Sequence, residues 1–236
     1  MSRQTGIITN ANSLWLNDKP FKKDLELALN REVRLMNDAN CFTLSEAVDG
    51  AGKDYKSIFG IIIGTGFGGG LSYNKSIIEG SNQIAGDWGH QPLPYPTKEE
   101  QETKISCPSN NCGRPLCAEQ FMSGIGFKDR FNQKYDTNFT SEEIVKLDSD
   151  NDPRANLELS LYEDRMARLI AVMIGIFDPD AIILGGGMSN IDRFYKNIPS
   201  LIPKYTFSNK VETKVLKNLH GDSSGVRGAA WLWNNV

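Results

Sequence analysis

Histidine and cysteine are scarce in this chain of 236 residues, with two of the first and four of the second. So few cysteines in so long a chain do not make the dense disulfide framework of a small secreted domain. No apolar run approaches the ~18 residues that a membrane-spanning helix needs. The opening residues, Met1-Ser-Arg-Gln-Thr-Gly6, lack the apolar stretch of a secretion signal. A cytoplasmic location with reduced thiols is therefore expected, with no membrane partner. Positive charge is not in excess: 26 Lys and Arg stand against 29 Asp and Glu, for a net charge of -3. Without a basic stripe, nucleic acid is not an expected partner. Repeats and low-complexity tracts are also missing. What remains is an ordinary apolar fraction, 39%, in a chain long enough for one large or two small domains.

The apolar pattern alternates strands with helices, which predicts an α/β fold. A strand end passing into a polar loop is expected over 6–16. Helical spacing covers 22–30, and Val33 and Leu35 alternate in a short strand over 32–36. A helix is expected from 41 to about 48–50, with Asn37 or Asp38 as its cap. The β-branched run 58–63 predicts a buried strand, returning as a hairpin at 71–73. The stretch 92–111 is polar and proline-bearing, hence irregular, and its acidic part 98–102 reads as solvated loop. Helices follow from 117, over 141–147, 154–178 and 191–198, and at the end over 225–233. Short strands are expected at 180–184 and 213–216. Trp15, Trp88, Trp231 and Trp233 read as packing residues, Cys41 as a small buried apolar one, and His220 as a turn cap.

The scarce residues are not scattered. Three of the four cysteines and one of the two histidines fall between His90 and Cys117, as Cys107-x4-Cys112-x4-Cys117, with Glu119 just beyond. One imidazole and three thiolates have the number and softness of a closed tetrahedral zinc site; the alternative is chance clustering in a loop. Four protein ligands leave no open position for a catalytic water, so the role expected is structural. Gly64-Thr65-Gly66 follows a strand and reads either as a hairpin or as a turn whose backbone approaches an anion. Gly185-Gly186-Gly187 sits between strand and helix, where ligands lie in open α/β sheets. Asp38 reads either as a helix cap or as a cleft general base.

Taken in order, these motifs resemble the ROK family of sugar kinases and repressors, and within it the bacterial fructokinases (manno-fructokinases). The resemblance runs through Asn10-Ala-Asn-Ser-Leu-Trp-Leu16, Arg34-Leu-Met-Asn-Asp-Ala-Asn-Cys-Phe42, Gly86-Asp-Trp-Gly-His90, the cysteine cluster, Leu184-Gly-Gly-Gly-Met-Ser-Asn190 and His220-Gly-Asp-Ser-Ser-Gly-Val-Arg-Gly-Ala-Ala-Trp-Leu-Trp233. It implies an actin-like ATPase (ribonuclease H-like) fold of two lobes. Residues 1–52 would be the remnant of an incomplete N-terminal lobe, with the terminal helix 224–236 packed on it. Residues 53–223 would form the C-terminal lobe with the zinc loop and the cleft. The implied activity is ATP-dependent phosphorylation of a hexose, with fructose giving fructose 6-phosphate as the first expectation. Glucose, mannose and N-acetylglucosamine are the alternatives.

By that resemblance Asp38 is the general base, and Asn37, Asp38, Asp87, His90 and Glu119 hold the sugar. Gly64, Thr65, Gly66, Gly185, Gly186 and Gly187 approach the nucleotide. His90, Cys107, Cys112 and Cys117 hold zinc, magnesium accompanies ATP, and a homodimer is expected. His90 would give one ring nitrogen to zinc and the other to the sugar. Selectivity for the sugar would lie around Asn10 to Trp15. Three departures stand out. The family's opening Asp-x-Gly-Gly-Thr turn, which grips the ATP phosphates, does not occur in this sequence, so impaired ATP turnover is expected if the chain is complete as given. Asn110 stands where the family has its first cysteine, with Cys107 three residues earlier and Leu116 in place of a glycine. Asp87 replaces the usual Glu. A sugar-sensing repressor is disfavoured, since no helix-turn-helix precedes the sugar motifs. A truncated, non-catalytic sugar- and zinc-binding homologue is the competing reading.

Overall fold

The computed structural model describes residues 5–9, 11, 13–103, 107, 112–208 and 210–233. Asn10, Asn12, Asn110 and the last three residues of the expected terminal helix lie outside them. The run of β-branched residues forms the centre of the sheet. Strand β1 (Ser57–Ile63) turns at Gly64–Gly66 into β2 (Phe67–Tyr73), its antiparallel neighbour, and β3 (Ser76–Ile77) pairs antiparallel with β2. On its other side β1 pairs in parallel with β4 (Ala181–Gly185), which pairs in parallel with β5 (Lys214–Lys217). The order is β3-β2-β1-β4-β5. Parallel neighbours require long crossovers, and helices supply them. Between β1 and β4 run α3 (Lys98–Gln101), α4 (Ala118–Met122), α5 (Gly124–Tyr135), α6 (Ser141–Ser149) and α7 (Pro153–Phe177), and between β4 and β5 runs α8 (Arg193–Leu201); α1 (Phe21–Leu29) and α2 (Asp38–Val48) precede β1, and α9 (Ser224–Trp231) follows β5.

Alternation along β1 divides the core between two faces. Phe59, Ile61 and Ile63 join Ile182 and Leu184 of β4 in a large cluster with Phe121, Tyr162, Met166 and Phe194 from α4, α7 and α8. Ile58 and Ile183 face the other way, against Phe42 and Ala47 of α2. That second face admits a helix closely because it is paved with glycine. A Cβ on Gly70 would stand 2.6 Å from Thr43 Oγ1, and one on Gly60 would collide with the same hydroxyl. α9 then lies on α2, with Gly228 against the Cys41 carbonyl. The expected partition grouped α2 with residues 1–52, yet this helix rests on β1 and β2 of the following segment as well as on α9. The long α7 begins as its sequence predicts, with Asp152 accepting from the Arg154 N–H and Pro153 in the first turn. It ends at Asp178 in the left-handed conformation (φ 49°).

Several expectations need correction. Residues 32–36 form no strand, because none of the described strands pairs with them. A lone extended segment has no ladder to join, and this one is held by its side chains instead. Arg34 donates to the Leu232 carbonyl and lies over the Trp233 ring, while the Val33 N–H donates to Glu26. Residues 98–102 are not solvated loop. Thr97 and Glu100 make a reciprocal capping box for α3, and Glu100 is only 2% exposed, clamped by Arg165 and Arg168 of α7. Trp88 is buried between Phe59 and Phe67, as a packing residue should be, but Trp15 is 76% exposed. No helix among the described residues is long and apolar enough to cross a membrane.

Candidate active site

Two glycine turns meet at the carboxyl edge of the parallel pair β1 and β4. Ile62 is level with Gly185 in the register, so the chain leaves both strands side by side. Gly186 adopts φ +80°, and a Cβ there would stand 2.5 Å from the Ile63 carbonyl oxygen. Only glycine permits both that angle and that approach. The Ser189 hydroxyl donates to the Gly186 carbonyl at 2.7 Å and closes this second turn. In the first, the Gly64 N–H donates to the Gly66 carbonyl at 3.0 Å, and the Gly124 N–H donates to the Gly64 carbonyl at 2.8 Å. Side-chain positions at Gly64 and Gly187 would meet no atom within 4 Å, so both backbones border open space. A strand edge of this kind is where open α/β sheets bind ligands.

The N-terminus of α2 reaches the same edge. Ala39 sits over β2, with its carbonyl oxygen 3.0 Å from a Cβ built on Gly70. The two readings of Asn37-Asp38 separate here. Asn37 is the cap, its Oδ1 accepting from the Ala39 and Asn40 N–H groups at 2.9 and 3.3 Å. Asp38 is the first helical residue; its Oδ1 also accepts from the Ala39 N–H, and the side chain is exposed.

The segment Gly86–His90 lies across the start of β2. Gly86, at φ +86°, packs on the Gly69 carbonyl, and Gly89 packs on that of Phe67. Buried Trp88 wedges the segment in place and leaves Asp87 exposed beside it. Glu119, at the start of α4, is 5% exposed, and its Oε2 accepts from the Phe67 N–H at 3.2 Å. Its other oxygen is 3.5 Å from Cys107 Sγ, so one carboxylate touches both the glycine turn and the cysteine cluster.

That cluster assembles despite the altered spacing. The ligand atoms of His90, Cys107, Cys112 and Cys117 all lie within 4.8 Å of one another. Cys117 Sγ is 3.3 Å from Cys107 Sγ, 3.5 Å from Cys112 Sγ and 3.6 Å from His90 Nδ1. Sulfurs bound to tetrahedral zinc at ~2.3 Å stand about 3.8 Å apart, close to these separations. Burial pushes the Cys117 thiol up, and a bound cation would reverse that by stabilising the thiolate. His90 turns Nδ1 to the cluster, which leaves Nε2 for another partner.

Asn37, Asp38, Asp87, His90 and Glu119 are thus gathered around Phe67–Gly70, with both glycine turns alongside. Sequence reasoning missed three contributors. The Phe67 N–H orients Glu119. The Gly68-Gly69-Gly70 run lets α2 approach the sheet, and its glycine density is the signal that could have pointed to it. Asn218 braces the second turn, donating through Nδ2 to the Leu184 carbonyl and Ser189 Oγ at 3.0 and 3.1 Å; nothing in its sequence setting announces that.

Comparison with known proteins gives the family and the fold. The sequence model of the ROK family matches residues 1–236. The chain is 38% identical over 214 residues to an N-acetyl-D-glucosamine kinase of Vibrio atlanticus, covering 91% of this chain and 71% of that one. It is 36% identical over 227 residues to an N-acetyl-D-glucosamine kinase of Vibrio cholerae, covering 96% and 75%. Among solved structures, a ROK hexokinase from Thermus thermophilus superposes with a TM-score of 0.81 at 24% identity, over 98% of this chain and 74% of that one. A ROK family glucokinase from Streptomyces griseus, solved with glucose and AMPPNP, gives 0.82 at 22% identity, over 98% and 78%. The fold is the α/β, actin-like ATPase fold of those structures, and the chain belongs to the ROK family.

Proposed function

We propose that the protein is a sugar kinase that transfers the γ-phosphoryl group of ATP to the terminal hydroxyl of a hexose, with N-acetyl-D-glucosamine the favoured substrate. The observation that carries this reading is the gathering of Asp38, His90 and Glu119 with two open glycine turns at one sheet edge. The choice of sugar rests on the Vibrio relatives, which are N-acetyl-D-glucosamine kinases. They give no support to fructose, the sugar expected from the sequence motifs, and we set that expectation aside.

Asp38 accepts the proton of the sugar hydroxyl as its oxygen attacks the γ-phosphorus in line. The new O–P bond forms as the bond to the β-phosphate bridging oxygen breaks, and ADP leaves. Asn37, Asp87, Glu119 and the free Nε2 of His90 hold the sugar hydroxyls, so that positioning does most of the work. The turns Gly64–Gly66 and Gly185–Gly187 approach the nucleotide, whose phosphate charge magnesium neutralises. His90, Cys107, Cys112 and Cys117 would hold zinc in a structural role, which would fix the His90 ring and keep Cys107 beside Glu119. The same reading takes residues 53–223 with α2 as the sugar- and nucleotide-binding lobe of a cytoplasmic homodimer.

The test is ADP release with N-acetyl-D-glucosamine, glucose, mannose and fructose. Preference for N-acetyl-D-glucosamine by kcat/KM supports the proposal. Turnover of none of them, together with tight zinc binding, supports a non-catalytic sugar- and zinc-binding homologue instead.

A further inference from the structure

Glu46 lies on α2, about two turns beyond Asp38, and the mechanism above does not use it. It is fully buried (0% exposed), yet its carboxylate is saturated with donors. Oε2 accepts from the Ala51 and Leu219 N–H groups at 2.9 and 3.1 Å. Oε1 accepts from the Ser224 hydroxyl at 2.8 Å and from the His220 N–H at 3.4 Å. Gly50 leaves room for it, since a Cβ there would collide with Oε2. Three of the four donors come from one short segment, Leu219 to Ser224, which joins β5 to α9.

That segment also supports the second glycine turn. Asn218, one residue before Leu219, donates from its backbone to the Leu184 carbonyl at 3.1 Å and from Nδ2 to the same carbonyl and to Ser189 Oγ. Its Oδ1 accepts from the Gly221 N–H at 2.7 Å, which folds the segment back on itself. Ser189 in turn holds the Gly186 carbonyl. A continuous path therefore runs from Glu46 by a hydrogen bond to Leu219, along the peptide link to Asn218, and by hydrogen bonds again to Ser189 and Gly186.

We propose that Glu46 is a positioning residue that holds the 218–224 segment so that Asn218 can brace the Gly185–Gly187 turn. Its effect on nucleotide affinity rests on the kinase reading; the brace does not. Replacing the carboxylate by an amide turns an NH2 group toward backbone N–H donors, which opens the clasp at a buried site. The Asp38 end of α2 keeps its own contacts with Gly60 and Gly70 through Thr43, so the damage is confined to the nucleotide side.

The experiment is amide hydrogen exchange on wild type, Glu46→Gln, Asn218→Ala and the double variant, with AMPPNP and N-acetyl-D-glucosamine affinities measured on each. Both single variants are expected to speed exchange over 185–190 about tenfold, with Phe59 to Ile61 of β1 unchanged as the control for global loosening. AMPPNP binding should weaken about tenfold and sugar binding by less than twofold. Members of one network are not additive, so the double variant should bind AMPPNP no more weakly than the weaker single variant. Unchanged exchange over 185–190 in either single variant overturns the proposal, as do independent, multiplying losses in the double. If Glu46→Gln does not fold, Ser224→Ala, which removes the hydroxyl donated to Glu46 Oε1, takes its place, and unchanged exchange over 185–190 in that variant overturns the proposal. A folded wild type that binds neither AMPPNP nor sugar counts against the kinase reading, while the exchange data still decide the brace.

Discussion

At the scale of the residue, burial and hydrogen bonding separate groups that look alike in the sequence. Asn37 and Asp38 are neighbours with similar capping ability, but Asn37 takes the cap and leaves the Asp38 carboxylate facing outward. Asp38→Asn keeps the shape and removes the proposed base. We expect kcat to fall by ~10²–10⁴ with sugar affinity held within a few-fold, read by steady-state kinetics and calorimetry. Equal losses in kcat and sugar affinity would mean that Asp38 binds rather than catalyses. The cysteines divide in the same way. Cys41 is buried beneath α9, and burial, with the nearby Asp38 carboxylate, pushes its thiol up to about 11. Cys107, Cys112 and Cys117 converge on His90. Elemental analysis should find one zinc per chain, lost in Cys107→Ser, while Cys41→Ser retains it. Full zinc retention by Cys107→Ser would exclude Cys107 from the ligand set, and with it the altered spacing.

At the scale of the element, the crossing of α2 and α9 depends on one missing side chain. A methyl group on Gly228 would overlap the Cys41 carbonyl, which is backbone and cannot rotate away. Gly228→Ala should therefore cost ~1–3 kcal/mol by overpacking, where an open helical site would gain from the change. In a chain of this size that is a melting-point drop of roughly 2–4 °C per kcal/mol. Gly225, in the same helix with no atom within 4 Å of an added Cβ, supplies the control: Gly225→Ala should leave the melting point unchanged or raise it. Matching losses at the two positions would show that the crossing is looser than described.

At the scale of the whole molecule, a buried ion cluster ties the segment Pro94 to Glu100 to α7. Glu100 accepts from Arg165 Nε at 2.6 Å and from Arg168 at 2.8 and 3.0 Å, and Arg168 also holds the Pro94 and Tyr95 carbonyls. Burial alone would raise the Glu100 carboxyl, but hydrogen bonds from Arg168, the Thr97 N–H and Arg165 outweigh it and hold it at about 2, against an ordinary 4.5. A carboxyl depressed in the folded state is protonated first in the unfolded one. Its stabilisation is complete above about pH 4.5 and is lost as pH falls toward about 2. Glu100→Gln should lower the melting point at neutral pH and flatten its dependence on pH across that window. The neutral-pH loss follows from leaving Arg165 buried without its anion and Arg168 with Asp164 alone. An unchanged slope in the variant would place the acid sensitivity elsewhere.

Much of the site was legible in the sequence because its chemistry is local and its residue types are rare. A histidine and three cysteines in one short window, and glycines at strand ends, keep their meaning whatever surrounds them. Strands β1 and β4 and helix α7 were also legible, since long apolar periodicity leaves few alternatives. The expected strand over 32–36 failed because a strand exists only with a partner, and pairing is decided far along the chain. Residues 98–102 misled for the same reason: their charge reads as solvation until Arg165 and Arg168, more than sixty residues later, arrive to neutralise Glu100. The sequence by itself determined which chemical groups this protein carries and the order of its central elements. Only the tertiary structure decided that Asn37 rather than Asp38 caps α2, that Cys107 joins the cluster, and that Glu46 and Asn218 stand behind the second glycine turn. The cap is settled by local geometry that either residue could have adopted, and the others by contacts between segments apart in sequence, of which composition and spacing carry no record.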